Sequence, residues 1–216
     1  MAIRNINNLY DFFRDLVRKE RGAFVSIPQF NANLDAGQLD AIEEWFAPYG
    51  ENQQLHDALR LIRVYYQFTS DPAGFVTQPD DYLHILGQPF TVAGSSVNRI
   101  NFCNEDEVPF ALTSQLRPVS DSYPIAIDTS TGFSIYPQKT QVGFFNYLRR
   151  PATPKLAYTQ VGRVITYDAA NSVQLEFSDA YINNILAKAL IYAGVYMNEK
   201  DITQYAEVYN QQTKVP

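Results

Sequence analysis

The sequence predicts an α+β fold: N-terminal helices, a central set of antiparallel β-hairpins, and a C-terminal helical pair. Three observations carry this. Residues 8–20 repeat apolar side chains at helical spacing. Residues 123–158 alternate apolar and polar side chains between short turn clusters, the pattern of half-buried strands. After residue 178 the helical period returns, between capping residues.

In the first helix Leu9, Phe12, Phe13, Leu16 and Val17 form one stripe, and Gly22 supplies a stop. Residues 23–33, with Pro28 among them, read as extended or irregular. A second helix is predicted from Asp35, whose side chain would cap it. Gln38 sits at the capping-box position, and Leu34 and Leu39 are spaced as a hydrophobic staple. It buries Leu39, Ile42 and Phe46 and breaks at Pro48-Tyr49-Gly50. A third helix is expected over 52–68, with Leu55, Leu59, Ile62 and Tyr66 on one face, ended by Asp71-Pro72-Ala73-Gly74.

Tyr82-Leu83-His84-Ile85-Leu86 fits a strand or a short helix, since periodicity does not separate them in so short a run. Residues 97–102 read as a strand. Asn104-Glu105-Asp106-Glu107 suits a helix N-terminus, where carboxylates meet the positive end of the dipole. That helix would carry Phe110 and Leu112 into the core. In the central region Ile125, Ile127, Phe133, Ile135, Val142, Phe144 and Tyr147 line sheet faces. Asp128-Thr129-Ser130-Thr131-Gly132 and Gln138-Lys139-Thr140 supply turns, and Pro151 and Pro154 end the last strand. Residues 161–167 and 173–177 are expected to pair around Asp168-Ala169-Ala170-Asn171. Ser178 then caps a helix burying Ile182, Ile185, Leu186, Ala189 and Leu190, which Gly194 ends with Val195 packing back. Asn198 caps a last helix with Ile202, Tyr205, Ala206 and Tyr209 inward. The organisation is read as one domain over 1–216: a helical part at 1–70, a mainly β part at 80–177 and the helical pair at 178–210.

Composition narrows the function. The 216 residues carry a net charge of −6, which argues against wholesale nucleic-acid binding. A chain of this length buries about 70% of its unfolded surface and needs no covalent staples. The single cysteine, Cys103, permits no intrachain disulfide. The N-terminus MAIRNINNLYDFF lacks the apolar core of a signal peptide, and no apolar run reaches the ~20 residues of a membrane span, so the expectation is a soluble protein made in the cytoplasm. The 15 tyrosines and 14 phenylalanines suit either a ring-rich core or a contact surface.

No catalytic constellation emerges. His56 and His84 lack a second ligand-type residue at helical metal spacing. Cys103 has no basic neighbour to activate it and reads as a small hydrophobe. Asp128 through Gly132 is what a hairpin turn requires. There is no glycine-rich phosphate loop and no serine elbow. The reading is therefore not an enzyme, with no cofactor, no metal and no catalytic residues. Arg149-Arg150, framed by Pro151 and Pro154, either contacts carboxylate or phosphate groups or forms a solvated strand end.

Charge is segregated. Asp35, Asp40, Glu43, Glu44, Glu51 and Asp57 fall in a stretch without Lys or Arg; Lys139, Arg149, Arg150, Lys155 and Arg163 fall in 129–167, without Asp or Glu. Segregated charge of this kind suits contact between two copies of the chain through different, complementary patches. The subunit interface is therefore expected to use Arg149 and Arg150 against Glu43, Glu44 and Glu51 of the next subunit, with Phe133, Tyr136 and Phe145 supplying apolar contact.

Three runs resemble neck-type structural proteins of crAss-like and related tailed phages. They are Gly50-Glu51-Asn52-Gln53-Gln54-Leu55-His56-Asp57-Ala58-Leu59-Arg60, the run Tyr147-Leu148-Arg149-Arg150-Pro151-Ala152-Thr153-Pro154 with Lys155-Leu156-Ala157-Tyr158 after it, and residues 173–205. The C-terminal part carries most of the likeness, through Ala193-Gly194-Val195 and Glu199-Lys200-Asp201-Ile202-Thr203-Gln204-Tyr205. The resemblance covers most of the chain, rests on no catalytic motif, and leaves 75–101 unmatched. It implies a head-to-tail connector in the virion neck, assembled as a homo-oligomeric, dodecameric ring. Its partners would be the portal protein and adjacent neck or tail proteins, with DNA passing through the lumen. The alternative is a tail accessory module that binds carbohydrate or protein through exposed aromatic rings.

Overall fold

The computed structural model describes residues 5–47, 53–162 and 164–195, and the fold is α+β. In chain order come α1 (Ile6–Arg21), α2 (Ile27–Phe46), α3 (Gln53–Leu59), a 3₁₀ turn (Arg60–Ile62) and β1 (Arg63–Thr69). Next are β2 (Phe75–Thr77), β3 (Tyr82–Ala93), β4 (Ser96–Arg99), β5 (Asn101–Phe102), α4 (Val108–Thr113), β6 (Ile125–Thr129), β7 (Gly132–Tyr136) and β8 (Val142–Arg149). The last are β9 (Tyr158–Val161), β10 (Val164–Tyr167) and α5 (Asp179–Tyr192). The single domain expected from sequence order divides into two compact units. One is Met1–Leu61 with Pro151–Pro216; the other is Ile62–Arg150.

The first unit joins helices from both ends of the chain. Asn5 caps α1 by accepting from the Asn7 N–H at 2.8 Å. The predicted stripe is fully interior, and Gly22 ends the helix at φ 64°, in the left-handed region that glycine enters without strain. Phe30 of α2 packs edge-to-face on Tyr10 at 5.2 Å and Phe13 at 5.3 Å. The helix α2 starts eight residues before the predicted cap at Asp35. Ser26 and Gln29 form a capping box of their own, and Pro28, lacking an N–H, fits a first turn that leaves N–H groups unbonded anyway. Asp35 and Gln38 fall inside the helix, and Gln38 is buried, its side-chain nitrogen donating to the Ala152 carbonyl at 3.4 Å.

In α5 the predicted face Ile182, Ile185, Leu186, Ala189 and Leu190 is buried. Ser178 holds the N-cap position, though its side chain makes no cap bond. Gly194 turns at φ 77°, and Val195 packs back, its N–H bonded to the Leu190 carbonyl at 2.9 Å. Backbone approach between α2 and α5 is close: a Cβ on Gly37 would lie 2.6 Å from the Ala189 nitrogen. Polar links tie the two chain ends together. Gln174 accepts from the Ile6 N–H at 2.8 Å, Asn31 brackets the Leu156 backbone at 2.8 and 3.2 Å, and Arg21 donates to the Ala193 carbonyl at 3.0 Å. The expected final helix from Asn198, with Ile202, Tyr205, Ala206 and Tyr209, lies outside the described residues, as does the break at Pro48-Tyr49-Gly50.

The hairpin of this unit is β9 with β10, not 161–167 with 173–177. Tyr158 pairs with Tyr167 and Val161 with Val164, turning at Gly162 at φ 63°. The Asp168 turn does form, with Oδ1 accepting from the Ala170 and Asn171 N–H groups at 3.1 and 3.2 Å, but it leads only to one bridge, Lys155 to Val173. A glycine in the left-handed region makes the tighter turn, and the ladder forms there.

The second unit holds two four-stranded sheets, ordered β1-β8-β3-β4 and β2-β7-β6-β5. Their facing sides share one core of Phe68, Val76, Ile100, Ala126, Phe133, Ile135, Phe145 and Tyr147. Phe133 contacts Phe68 at 5.6 Å and Phe145 at 5.7 Å. The helix expected over 52–68 stops at Leu59, and Arg63 through Thr69 pair antiparallel with β8. Val64, Tyr66 and Phe68 alternate inward there; a run of β-branched and aromatic residues satisfies a strand face as well as a helix face, and the partner strand decides. Tyr82-Leu83-His84-Ile85-Leu86 is strand.

The hairpin β6–β7 forms as predicted around Ser130-Thr131. Gln138-Lys139-Thr140, by contrast, carries the chain from one sheet to the other. A buried polar network holds this crossing: Ser70 Oγ donates to the Lys139 carbonyl at 2.9 Å and accepts from the Gln141 N–H at 2.8 Å. The short α4 buries Val108, while Phe110 is 76% exposed and Leu112 is also exposed, against the expectation that both reach the core. A six-residue helix is under two turns and presents too little surface to bury three apolar residues.

Candidate functional site

The residues singled out for a subunit interface fall in different places. Phe133 and Phe145 are 2% and 1% exposed, in the core between the two sheets, and cannot offer apolar contact to a partner. Tyr136 is half-buried at the end of β7. Arg149 is half-buried at the end of β8 and donates through Nη1 to the Arg150 carbonyl at 3.3 Å. Arg150 is exposed, its backbone N–H held by the Asp81 carbonyl at 2.6 Å. Both arginines belong to the second unit. Glu43 and Glu44 lie on the exposed face of α2 in the first, and Glu51 is outside the described residues.

Part of the acidic stretch is compensated within its own unit. Lys188 forms an ion pair with Glu44, and Asp40 accepts from the Tyr192 hydroxyl at 2.7 Å. That hydrogen bond, with some burial, raises the Tyr192 phenol above its ordinary pKa.

The exposed apolar surface lies elsewhere. On β8, Phe144 and Phe145 are adjacent, and neighbouring residues of a strand point to opposite faces. One ring must leave the core, and it is Phe144. Around it the outer face of β1-β8-β3-β4 carries two rows in register. Gln67, Phe144, Phe90 and Arg99 form one; Thr69, Val142, Val92 and Val97 form the other. Phe90 stacks on Phe144 at 5.4 Å, Tyr65 lies 5.3 Å from Phe144, and the Arg99 guanidinium sits 5.9 Å over Phe90. Tyr65 is 62% exposed. The adjacency of Phe144 and Phe145 was the signal available in the sequence for this face.

A second apolar surface belongs to the first unit. On the β9–β10 hairpin Val161 is 81% exposed, and Val164 and Ile165 are exposed with it. Exposed β-branched residues on a ribbon that pairs with no third strand among the described residues are an unusual choice for a surface left bare.

The titratable groups are placed for structure. Burial, and then the nearby Glu107 carboxylate, push the Cys103 thiol up, away from the reactive thiolate. Tyr147 is pushed up to about 12 by burial and by its hydrogen bond to Asp81, 2.7 Å away. Among the described residues no group of three or more His, Cys, Asp or Glu side chains is arranged to hold a metal ion, and no helix is long and apolar enough to cross a membrane. What this geometry offers is surface for binding: an aromatic and valine face on one unit and an apolar hairpin on the other. Comparison with protein-family models and with curated proteins finds no match for the chain.

Proposed function

We propose that the protein is a virion structural protein of a tailed phage, a neck-ring subunit that assembles next to the portal and joins capsid to tail. The observation that carries this reading is the pair of unlike apolar surfaces, one in each unit: an aromatic face with exposed Tyr65 beside half-buried Phe144 and Phe90, and the exposed aliphatic Val161–Val164–Ile165 hairpin. A heterologous ring contact requires two unlike surfaces on each subunit, and exposed apolar patches are where association free energy comes from. The resemblance of residues 50–60, 147–158 and 173–205 to neck proteins supports the same reading. The apolar contact is assigned to Phe144, Tyr65 and Phe90, in place of Phe133 and Phe145. Arg149 and Arg150 remain the basic side of the contact, with Glu43, Glu44 and Glu51 its acidic side. Exposed pairs of this kind orient the encounter and add little affinity, about 0.2–1 kcal/mol each. A net charge of −6 suits a lumen through which DNA slides without sticking.

The test is native mass spectrometry with negative-stain microscopy, on the chain alone and mixed with the portal protein. The expected result is closed, dodecameric rings, or rings formed on the portal, lost in Phe144→Asp and in Val161→Asp while both variants stay folded. A chain that stays monomeric under both conditions would refute the reading. The outer aromatic row also favours a second reading, a tail accessory module, because the stacked Phe90 and Phe144 rings beside the exposed Tyr65 suit a sugar face. Glycan binding lost in Phe144→Asp, by a chain that never forms rings, would select it.

A further inference from the structure

The second unit contains a cavity of about 280 Å³ that neither proposed contact surface uses. Tyr82, Phe102, Phe133, Cys103, Glu107 and Asp128 line it. Its walls follow from strand register. Phe133 and Asp128 are direct cross-strand partners in β7 and β6, so the carboxylate stands beside the ring on the same sheet face. Phe102 pairs with Ala126 in the parallel β5–β6 ladder, and Ala126 and Asp128, two residues apart, share that face. The small Ala126 leaves Phe102 and Phe133 to meet edge-to-face at 5.8 Å, an aromatic corner open on one side. Asp128 shares the face of β6 with the buried Ala126 but is itself exposed, so its carboxylate stands at the mouth of the cavity. Among the described residues neither Asp128 nor Glu107 forms an ion pair, and the Glu107 carboxylate accepts only from the Asn104 N–H, at 3.1 Å.

We infer that this cavity is a binding site for an organic cation, an alkylammonium or guanidinium head seated between the Phe102–Phe133 corner and the Asp128 and Glu107 carboxylates. Aromatic faces attract a cation through the ring quadrupole, and carboxylates at the rim complete its charge balance. A site of this volume takes one cationic arm, not a drug-sized molecule. Two neighbouring groups report the negative potential the cation would meet. Tyr82 is raised first by burial and then by Asp128; Cys103 is raised first by burial and then by Glu107. The cation has two sources to distinguish, a free amine or an arginine or lysine of a second copy of this chain. The inference does not depend on the ring reading, because the site is complete within one unit.

The test titrates the full chain, labelled with ¹⁵N, with agmatine, and uses the neutral 1-pentanol as control. The expected result is saturable shifts of the Phe102, Cys103, Asp128 and Phe133 amides, with a Kd on the order of 1–10 mM. Asp128→Asn and Phe102→Leu each keep the side chain's volume class and should weaken agmatine at least about tenfold, with the rest of the spectrum unchanged. Sedimentation of the unmodified chain with and without agmatine distinguishes the sources. Dissociation of an assembled species by agmatine identifies the cation as a side chain of another copy; an unchanged sedimentation profile identifies a free amine. The assignment is wrong if agmatine moves these amides no more than 1-pentanol does, or if either variant binds agmatine as tightly as the unmodified chain.

Discussion

Replacing Gly37 by alanine sets two effects of opposite sign against each other. Alanine favours a helix interior over glycine by about 0.8–1 kcal/mol, so local propensity alone predicts stabilisation. At residue 37 the added Cβ would sit 2.6 Å from the Ala189 nitrogen and 2.9 Å from the Ala189 Cα and the Ile185 carbonyl oxygen. All three are backbone atoms of α5, so no side chain can swing aside. Ordinary contact begins near 3.4 Å, and α5 would have to retreat by the difference. A gap of 0.5–1 Å forfeits roughly a quarter to a half of each dispersion contact, and α5 makes such contacts through Ile182, Ile185, Leu186, Ala189 and Leu190. Overpacking of this kind costs about 1–3 kcal/mol, and a clash with backbone atoms that cannot swing aside puts this site in the upper part of that range, about 2–3 kcal/mol. The packing cost exceeds the propensity gain, and Gly37→Ala should destabilise the helical unit by about 1–2 kcal/mol, or roughly 2–8 °C in Tm. Thermal and urea unfolding followed by circular dichroism at 222 nm measures it. Ala32→Gly, on the exposed side of the same helix, is the control and should itself cost about 1 kcal/mol. If Gly37→Ala raises the Tm, the close approach of α2 and α5 does not exist and the argument fails.

Leu186→Ala should cost the helical unit about 2–5 kcal/mol, because Leu186 is core; an unchanged melting temperature would make that face a docking surface instead. Phe145→Ala should cost the β unit about 3–5 kcal/mol, whereas Phe144→Ala, at a half-buried ring on the outer face, should cost clearly less and reduce assembly; equal effects on folding would refute the assignment of inner and outer rings. Tyr147 holds its proton more tightly folded than unfolded, so its contribution to stability is complete below pH 10 and is lost as pH rises from 10 through about 12. Ultraviolet titration at 295 nm should find this phenol late, and Asp81→Asn should bring it earlier. Arg149→Glu with Arg150→Glu should give a folded chain that forms no rings, with partial recovery on adding Glu43→Lys to the same chain; rings formed as well as by wild type would remove the charge contact from the proposal.

The features legible in the sequence are those set within one or two turns of chain. The α1 stripe, the Gly22 stop, the buried face of α5 and the Gly194–Val195 turn depend on spacing and on left-handed glycines, and each stands where the residues put it. The β6–β7 hairpin is equally local, two alternating strands on a short turn. Ser26 with Gln29 was legible too, as a capping box with a proline behind it; Asp35 with Gln38 presents the same pattern, and only the burial of Phe30 and Leu34 against the rest of the helical unit selects the earlier start.

What no local pattern determines is the partner. Val64, Tyr66 and Phe68 fit a helix stripe or a strand face until β8 lies alongside them. The segment after β7 looks like a hairpin turn, yet β8 pairs with β1 and β3, from far earlier in the chain. The residues from 151 onward complete a helical unit begun by residues 1–61, so the domain boundary cuts the chain twice. The aromatic cavity draws its walls from four separate segments, and no motif in the sequence marks it. A helix is stabilised by bonds within four residues of one another and leaves its period in the sequence. A strand takes half its hydrogen bonds and one side of its packing from a chain segment that can lie anywhere, so its neighbours are decided only when the core closes.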